Sequence, residues 1–136
     1  MKILHRHTGN TIFEFESNSI KELIEEAIKQ NIDLRFATFR VVDGKQWDIS
    51  GIDWKGKNLE NIDLRYVIAH NSNFEGCNLS RANLCKGDFT GSNFQLCNLK
   101  LAMLTPACVK DCDFTYANWD GMRAEFTDFS NTKGYY

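Results

Sequence analysis

From Leu34 onward every fifth residue is apolar. The series runs Leu34, Phe39, Gly44, Ile49, Trp54, Leu59, Leu64, Ala69, Phe74, Leu79, Leu84, Phe89, Phe94, Leu99, Leu104, Val109, Phe114, Trp119, Ala124 and Phe129, and only Gly44 breaks it. A chain that is 43% hydrophobic would fill fewer than half of these positions by chance. The residue before each centre is Asp or Asn except at Thr38, Ile68, Met103, Cys108 and Arg123. Two before the centre the later repeats carry small residues, among them Ser72, Cys77, Ala82, Gly87, Ser92, Cys97 and Cys112. The position after the centre is polar almost throughout, with Cys85 the exception. A period of five is neither the 3.6 of a helix nor the 2 of a strand. So short a repeat buries its apolar side only when coils stack on one another.

The leader before the repeats is patterned differently. Lys2–His7 and Thr11–Glu16 flank Thr8-Gly9-Asn10, and the second run alternates Ile12, Glu14 and Glu16 against Phe13 and Phe15. This predicts a β-hairpin. Ser19 with Glu22 predicts a capping box, and Ile20, Leu23, Ile24, Ala27 and Ile28 form one apolar face of a short helix. A helix of about three turns needs that face covered, and the end of the solenoid is the expected partner. The organisation expected is a hairpin and capping helix over 1–31, repeats over 32–131 and a tail over 132–136, in one structural domain.

The stretch Asn78-Leu79-Ser80-Arg81-Ala82-Asn83-Leu84-Cys85-Lys86-Gly87-Asp88-Phe89 closely resembles the A-(D/N)-L-x-x pattern of pentapeptide-repeat proteins. The resemblance implies an all-β solenoid: a right-handed quadrilateral β-helix of about five coils, with four repeats per coil. Residues twenty apart then share a column. The expected columns start Leu34/Trp54/Phe74, Phe39/Leu59/Leu79, Gly44/Leu64/Leu84 and Ile49/Ala69/Phe89, and coils about 4.8 Å apart stack the aromatic rings face to face. Two stretches fit poorly. Val41–Gln46 reads as a local hairpin with Asp43-Gly44 at its tip, and Met103, Thr105 and Pro106 suggest a bulge. Trp47 and Lys57 are too large or too polar for the inward corner they would occupy.

Composition narrows the function. The net charge is −2, and the repeat region balances its Lys and Arg against its Asp and Glu, which argues against direct nucleic-acid binding. No apolar run approaches membrane-spanning length, and Met1–His7 turns polar too soon for a signal peptide, so the expected compartment is cytoplasmic. The five cysteines read as reduced thiols. Cys77, Cys97 and Cys112 sit where Ala would, as small buried residues, and Cys85 is the thiol most open to reaction. His5 and His7 share a strand face, but no third ligand joins them. The repeat itself accounts for most Asp and Asn residues, and no catalytic motif stands out. The expectation is no enzyme, no metal and no cofactor.

What remains is a surface. The candidate interaction residues are the early outward cations Arg35, Arg40, Lys45, Lys55 and Arg65, together with Phe126, Tyr135 and Tyr136 at the chain end. The end aromatics are candidates for a homodimer contact, a mode of dimerisation the family resemblance implies. The first reading is a non-catalytic module that binds an unidentified protein, and the hairpin-helix leader resembles that of phage and bacterial members, suggesting a place in phage-host conflict. The alternative is a DNA mimic that binds DNA gyrase or topoisomerase, weakened by the charge balance. A second alternative is an enzyme with an outer-face site at Cys85 or His70.

Overall fold

The computed structural model describes residues 1–39 and 46–134. The predicted hairpin at Val41–Gln46, with Asp43-Gly44 at its tip, has its first five residues outside this range.

β1 (Lys2–His5) and β2 (Thr11–Glu14) pair antiparallel with a register shift between Ile3 and Leu4, and Gly9 turns the hairpin at φ 73°. α1 (Ile20–Lys29) starts on Ser19, whose Oγ accepts the Glu22 N–H at 3.1 Å. The Glu22 carboxylate accepts the Asn18 N–H at 2.8 Å, so the cap is reciprocal but reaches one residue further back than the usual box. Leu23, Ile24 and Ala27 are buried in one continuous core with the repeats. β3 (Ala37–Thr38) pairs with β1, giving the order β2-β1-β3. Thr38 also bridges Asp63, so the hairpin extends one ladder of the solenoid and covers its N-terminal edge there.

The repeats close into square coils. Parallel bridges join Asp53 to Asn73, Asn73 to Asn93 and Asn93 to Asp113, and every other side repeats the pattern. The four sides are named here by the centre each carries in one coil: Phe74 on the first face, Leu79 on the second, Leu84 on the third and Phe89 on the fourth. Each described centre from Phe39 to Phe114 donates its N–H to the coil above, as Phe74 does to Asn93 O at 2.7 Å, and Asn93 N–H returns a bond to Ser72 O at 3.0 Å. Each corner is a turn in which the residue two after the centre takes φ near 60°, as at Arg81, Lys86 and Leu96. At one corner Pro106 stands instead, after a cis peptide bond.

The position rules now have physical causes. The described centres from Leu34 to Phe114 are buried. The rings of Phe74, Phe94 and Phe114 stack at 4.9 and 5.0 Å within 5° of parallel, with Trp54 below at 5.8 Å. Every described Asp or Asn before a centre accepts the N–H two residues on; Asn78 takes that of Ser80 at 3.1 Å and Asp88 that of Thr90 at 3.1 Å. The small inward residues do more than fit. Ser92, Cys77, Cys97, Cys112 and Thr127 each donate to a centre carbonyl in the coil below, at 2.6–3.0 Å. A buried thiol here is therefore also a hydrogen-bond donor.

Two expectations about register are corrected. Thr38 meets Asp63 at a separation of 25, whereas Ser50 meets His70 at 20. Leu34 therefore lies below Leu59 and Phe39 below Leu64, one face away from their expected columns. The cause is an insertion one repeat long between Phe39 and Ile49. It leaves a period of five in phase and shifts a period of twenty. Ala37 accordingly sits below Ile62 rather than below Cys77. The second correction concerns Met103 to Pro106. There is no bulge: Met103 bridges both Asn83 and Arg123 in register, because the Pro106 corner closes without adding a residue.

Candidate interaction surface

Of the predicted cations, Arg40 and Lys45 lie outside the described residues, as do Tyr135 and Tyr136. The structure does not bring the others together. Lys55 is on the first face, Arg35 on the second and Arg65 on the third. Each is matched by an acid: Arg35 with Asp33 at 2.6 Å, Lys55 with Glu75 at 3.4 Å and Arg65 with Asp63 at 2.8 Å. The Arg65 pair is the most enclosed, with the Asp63 side chain 2% exposed. Burial pushes the Asp63 carboxyl up, but the guanidinium bonds outweigh it and hold the group below the usual carboxylate range.

A different surface emerges from the positions that break the repeat rule. Thr38, Met103 and Arg123 stand before centres on the third face, and Ile68 and Cys108 do so on the fourth; the first and second faces keep Asp or Asn from Asp33 to Asn118. An Asx turn contributes about 0.5–1.5 kcal/mol, so each replacement gives up a local contribution to the fold. The replacements adjoin one edge. Along it Tyr66, Lys86, Pro106 and Phe126 follow one another up the coils at the corner between these faces. Lys86 Nζ lies 5.1 Å from the Tyr66 ring centre and donates to its hydroxyl at 3.0 Å. Phe126 is 92% exposed. Shallow depressions flank the edge, one of about 190 Å³ lined by Cys85, Met103, Thr105 and Arg123, the other of about 290 Å³ beside Pro106 and Cys108. The signal was present in the sequence: the exceptions group when counted in twenties, once the insertion before Ile49 is allowed for.

The candidate chemistry resolves into contacts that hold the surface still. His70 Nε2 lies 2.7 Å from Asp88 Oδ2, Thr90 donates to Asp88 Oδ1 at 2.6 Å, and Thr90 Oγ1 is 3.4 Å from Cys108 Sγ. A catalytic relay places the base between nucleophile and carboxylate. Here the carboxylate stands between His70 and the hydroxyl, so these contacts do not have the order of such a relay. Cys85 is on the third face and His70 on the fourth. His5 and His7 pack around Phe36 at 5.2 and 5.9 Å, and His5 Nδ1 accepts the N–H of His7 and Thr8. No cluster of metal-ligating side chains occurs among the described residues, and no helix there is long and apolar enough to cross a membrane.

A family model described as pentapeptide repeats matches residues 48–81, 69–100 and 77–115 in 8 copies. Among solved structures, the fold is similar to HetL, a pentapeptide repeat protein involved in heterocyst differentiation regulation in the cyanobacterium Nostoc sp. strain PCC 7120, with TM-score 0.71 and 23% identity over 73% of this chain and 45% of HetL. It is also similar to a pentapeptide repeat protein of the Arabidopsis thaliana thylakoid lumen, with TM-score 0.61 and 30% identity over 62% of this chain and 59% of that one. The match thus spans less than two thirds of either relative. No curated protein matches the chain by sequence.

Proposed function

The chain belongs to the pentapeptide-repeat family, and on that premise we propose that it is a non-catalytic protein-interaction module whose contact surface is the edge between the third and fourth faces. One observation carries this reading: all the described departures from Asp or Asn before a centre, up to Arg123, fall on the two faces that meet at this edge. Architecture alone favours Asp or Asn at those positions; Thr38 is accounted for by β3 pairing with β1, and the other four replacements answer to something outside the coil. What they introduce suits a protein partner. Met103, Pro106 and Phe126 offer apolar and aromatic contact, Arg123 and Lys86 add charge, and a square coil with a filled core holds them rigid, which lowers the ordering cost of association. Arg65 and Phe126 belong to this surface.

Two observations weigh against the alternatives. A DNA mimic presents a dense array of unmatched carboxylates, whereas Asp33 and Asp63 are neutralised by Arg35 and Arg65. A catalytic outer face needs a nucleophile and base in contact, and the His70–Asp88–Thr90 order does not supply it.

The test is capture from a lysate of the native host with immobilised wild-type chain, a Met103→Glu/Phe126→Ser variant and a Ser80→Glu/Lys100→Glu variant on the second face. The edge variant is expected to lose the captured protein and the second-face variant to keep it. Loss from both, or only from the second-face variant, overturns the assignment. Phe126 also borders the open last coil, where Met122 and Ala124 are half-buried while Ala102 and Leu104 one coil below are fully buried. Sedimentation of the same proteins therefore distinguishes partner binding from self-association: an edge variant that only shifts from dimer to monomer assigns Phe126 to a two-fold contact between copies.

A further inference from the structure

A cleft of about 470 Å³ lies between the C-terminal end of α1 and the first coil, well away from the edge assigned above. Ile28, Ile32 and Leu34 line it with apolar surface above the fully buried Leu59, and Lys57, Asn31 and the Arg35–Asp33 ion pair stand at its polar side. Its size falls within the range of small-molecule sites.

Lys57 is the anomaly. It occupies an inward position that holds Cys77, Cys97 and Ala117 in the coils above, where the fold calls for a small side chain. It is half-buried. Its Nζ donates to Asn31 Oδ1 at 3.1 Å, which uses one of the three donors of an ammonium group. Among the described residues no carboxylate pairs with it. The neighbouring Arg35 is already held by Asp33, through Nε at 3.0 Å and Nη2 at 2.6 Å. Three carbonyls of the last helical turn are also taken: Glu26 O accepts from Gln30, Ala27 O from Ile32 and Ile28 O from Asn31. So Lys57 is not needed to close the helix. The cleft combines an apolar wall, a mutually neutralised Arg35–Asp33 pair and one further half-buried positive charge, Lys57, whose counter-charge the described chain does not provide.

We propose that this cleft binds a small amphipathic carboxylate, with its hydrocarbon body against Ile28, Ile32 and Leu34 and its carboxylate on Lys57. The charge sets the sign of the ligand head, since a half-buried ammonium gains most from a paired anion. Ile28, Ile32 and Leu34 set the character of the tail.

The test is a ¹H–¹⁵N titration of the intact chain with octanoate, and with octanol and octylamine as the neutral and cationic counterparts. Octanoate is expected to give saturable shifts at the amides of Asn31, Lys57 and Asn58 and to bind roughly tenfold more tightly than octanol, the ratio that about 1.4 kcal/mol of head-group recognition represents. Lys57→Met should abolish the preference and Lys57→Arg should keep it. The wild-type comparison stands alone if Lys57→Met fails to fold. Equal binding of octanol and octanoate, shifts confined to other parts of the molecule, or no saturation overturns the proposal.

Discussion

Ala is the family's preferred residue two before the centre, and Gly87 occupies that position. By the repeat rule Gly87→Ala should stabilise the chain, by about 0.4–1 kcal/mol through a less flexible unfolded state. The structure predicts the opposite sign. A Cβ on Gly87 would lie 2.5 Å from Phe89 Cε2, 2.9 Å from Cζ and 3.1 Å from Leu84 O, against an ordinary carbon contact of about 3.5–4.0 Å. The Phe89 ring would have to retreat by roughly 1 Å, and it has nowhere to go. It is fully buried and packs edge-on against Phe74 at 6.1 Å and Phe94 at 5.9 Å. Overfilling a tight core costs about 1–3 kcal/mol. Less the unfolded-state gain, the net destabilisation is about 0–2.6 kcal/mol, centred on about 1.3 kcal/mol. Urea unfolding followed by far-UV circular dichroism measures it. A companion Phe89→Leu substitution should relieve the clash, so the double variant should be more stable than the sum of the single changes implies. A Gly87→Ala chain more stable than wild type would refute the reasoning.

Two further outcomes follow from the same packing. Burial pushes the thiols of Cys77 and Cys112 up to about 12 and that of Cys97 higher still, while Cys85 and Cys108 are only half-buried. A thiol reagent at mildly alkaline pH should therefore label Cys85 and Cys108 in the native chain and reach the other three only on unfolding; labelling of all five at one rate would contradict the coil packing. Hydrogen bonds from Arg35, Thr115 and Ser130 hold the carboxyls of Asp33, Asp113 and Asp128 below their ordinary value, and Asp63 ends below it despite its burial. The unfolded chain then takes up protons first, so stability from these groups is fully present above about pH 5 and is lost as pH falls below about 4. Urea midpoints that rise on acidification would count against these pairings.

The sequence by itself determined the side chains' directions. A period of five with Asp or Asn before each centre is a local code: it sets which residue points inward, which bonds the turn and which takes the corner. Every centre from Leu59 to Phe114 points inward as that code requires, with Ile68, Met103 and Cys108 the departures before it, and the Ser19 cap and the apolar face of α1 also followed the local pattern. Which coils lie on which was decided only in three dimensions, because stacking joins residues twenty apart and local preferences do not count that far. The insertion between Phe39 and Ile49 shows why: one repeat length is invisible to a five-residue pattern, yet it turns Leu34 and Phe39 by a whole face. Charge partners such as Lys55 and Glu75, the half-buried Lys57 beside the end of α1, the clash waiting at Gly87 and the gathering of the exceptions along one edge all depend on that stacking. Of these only the gathering of the exceptions had a trace in the sequence, in Met103 and Arg123 standing twenty apart and Ile68 and Cys108 forty; the rest became visible once the coils were in register.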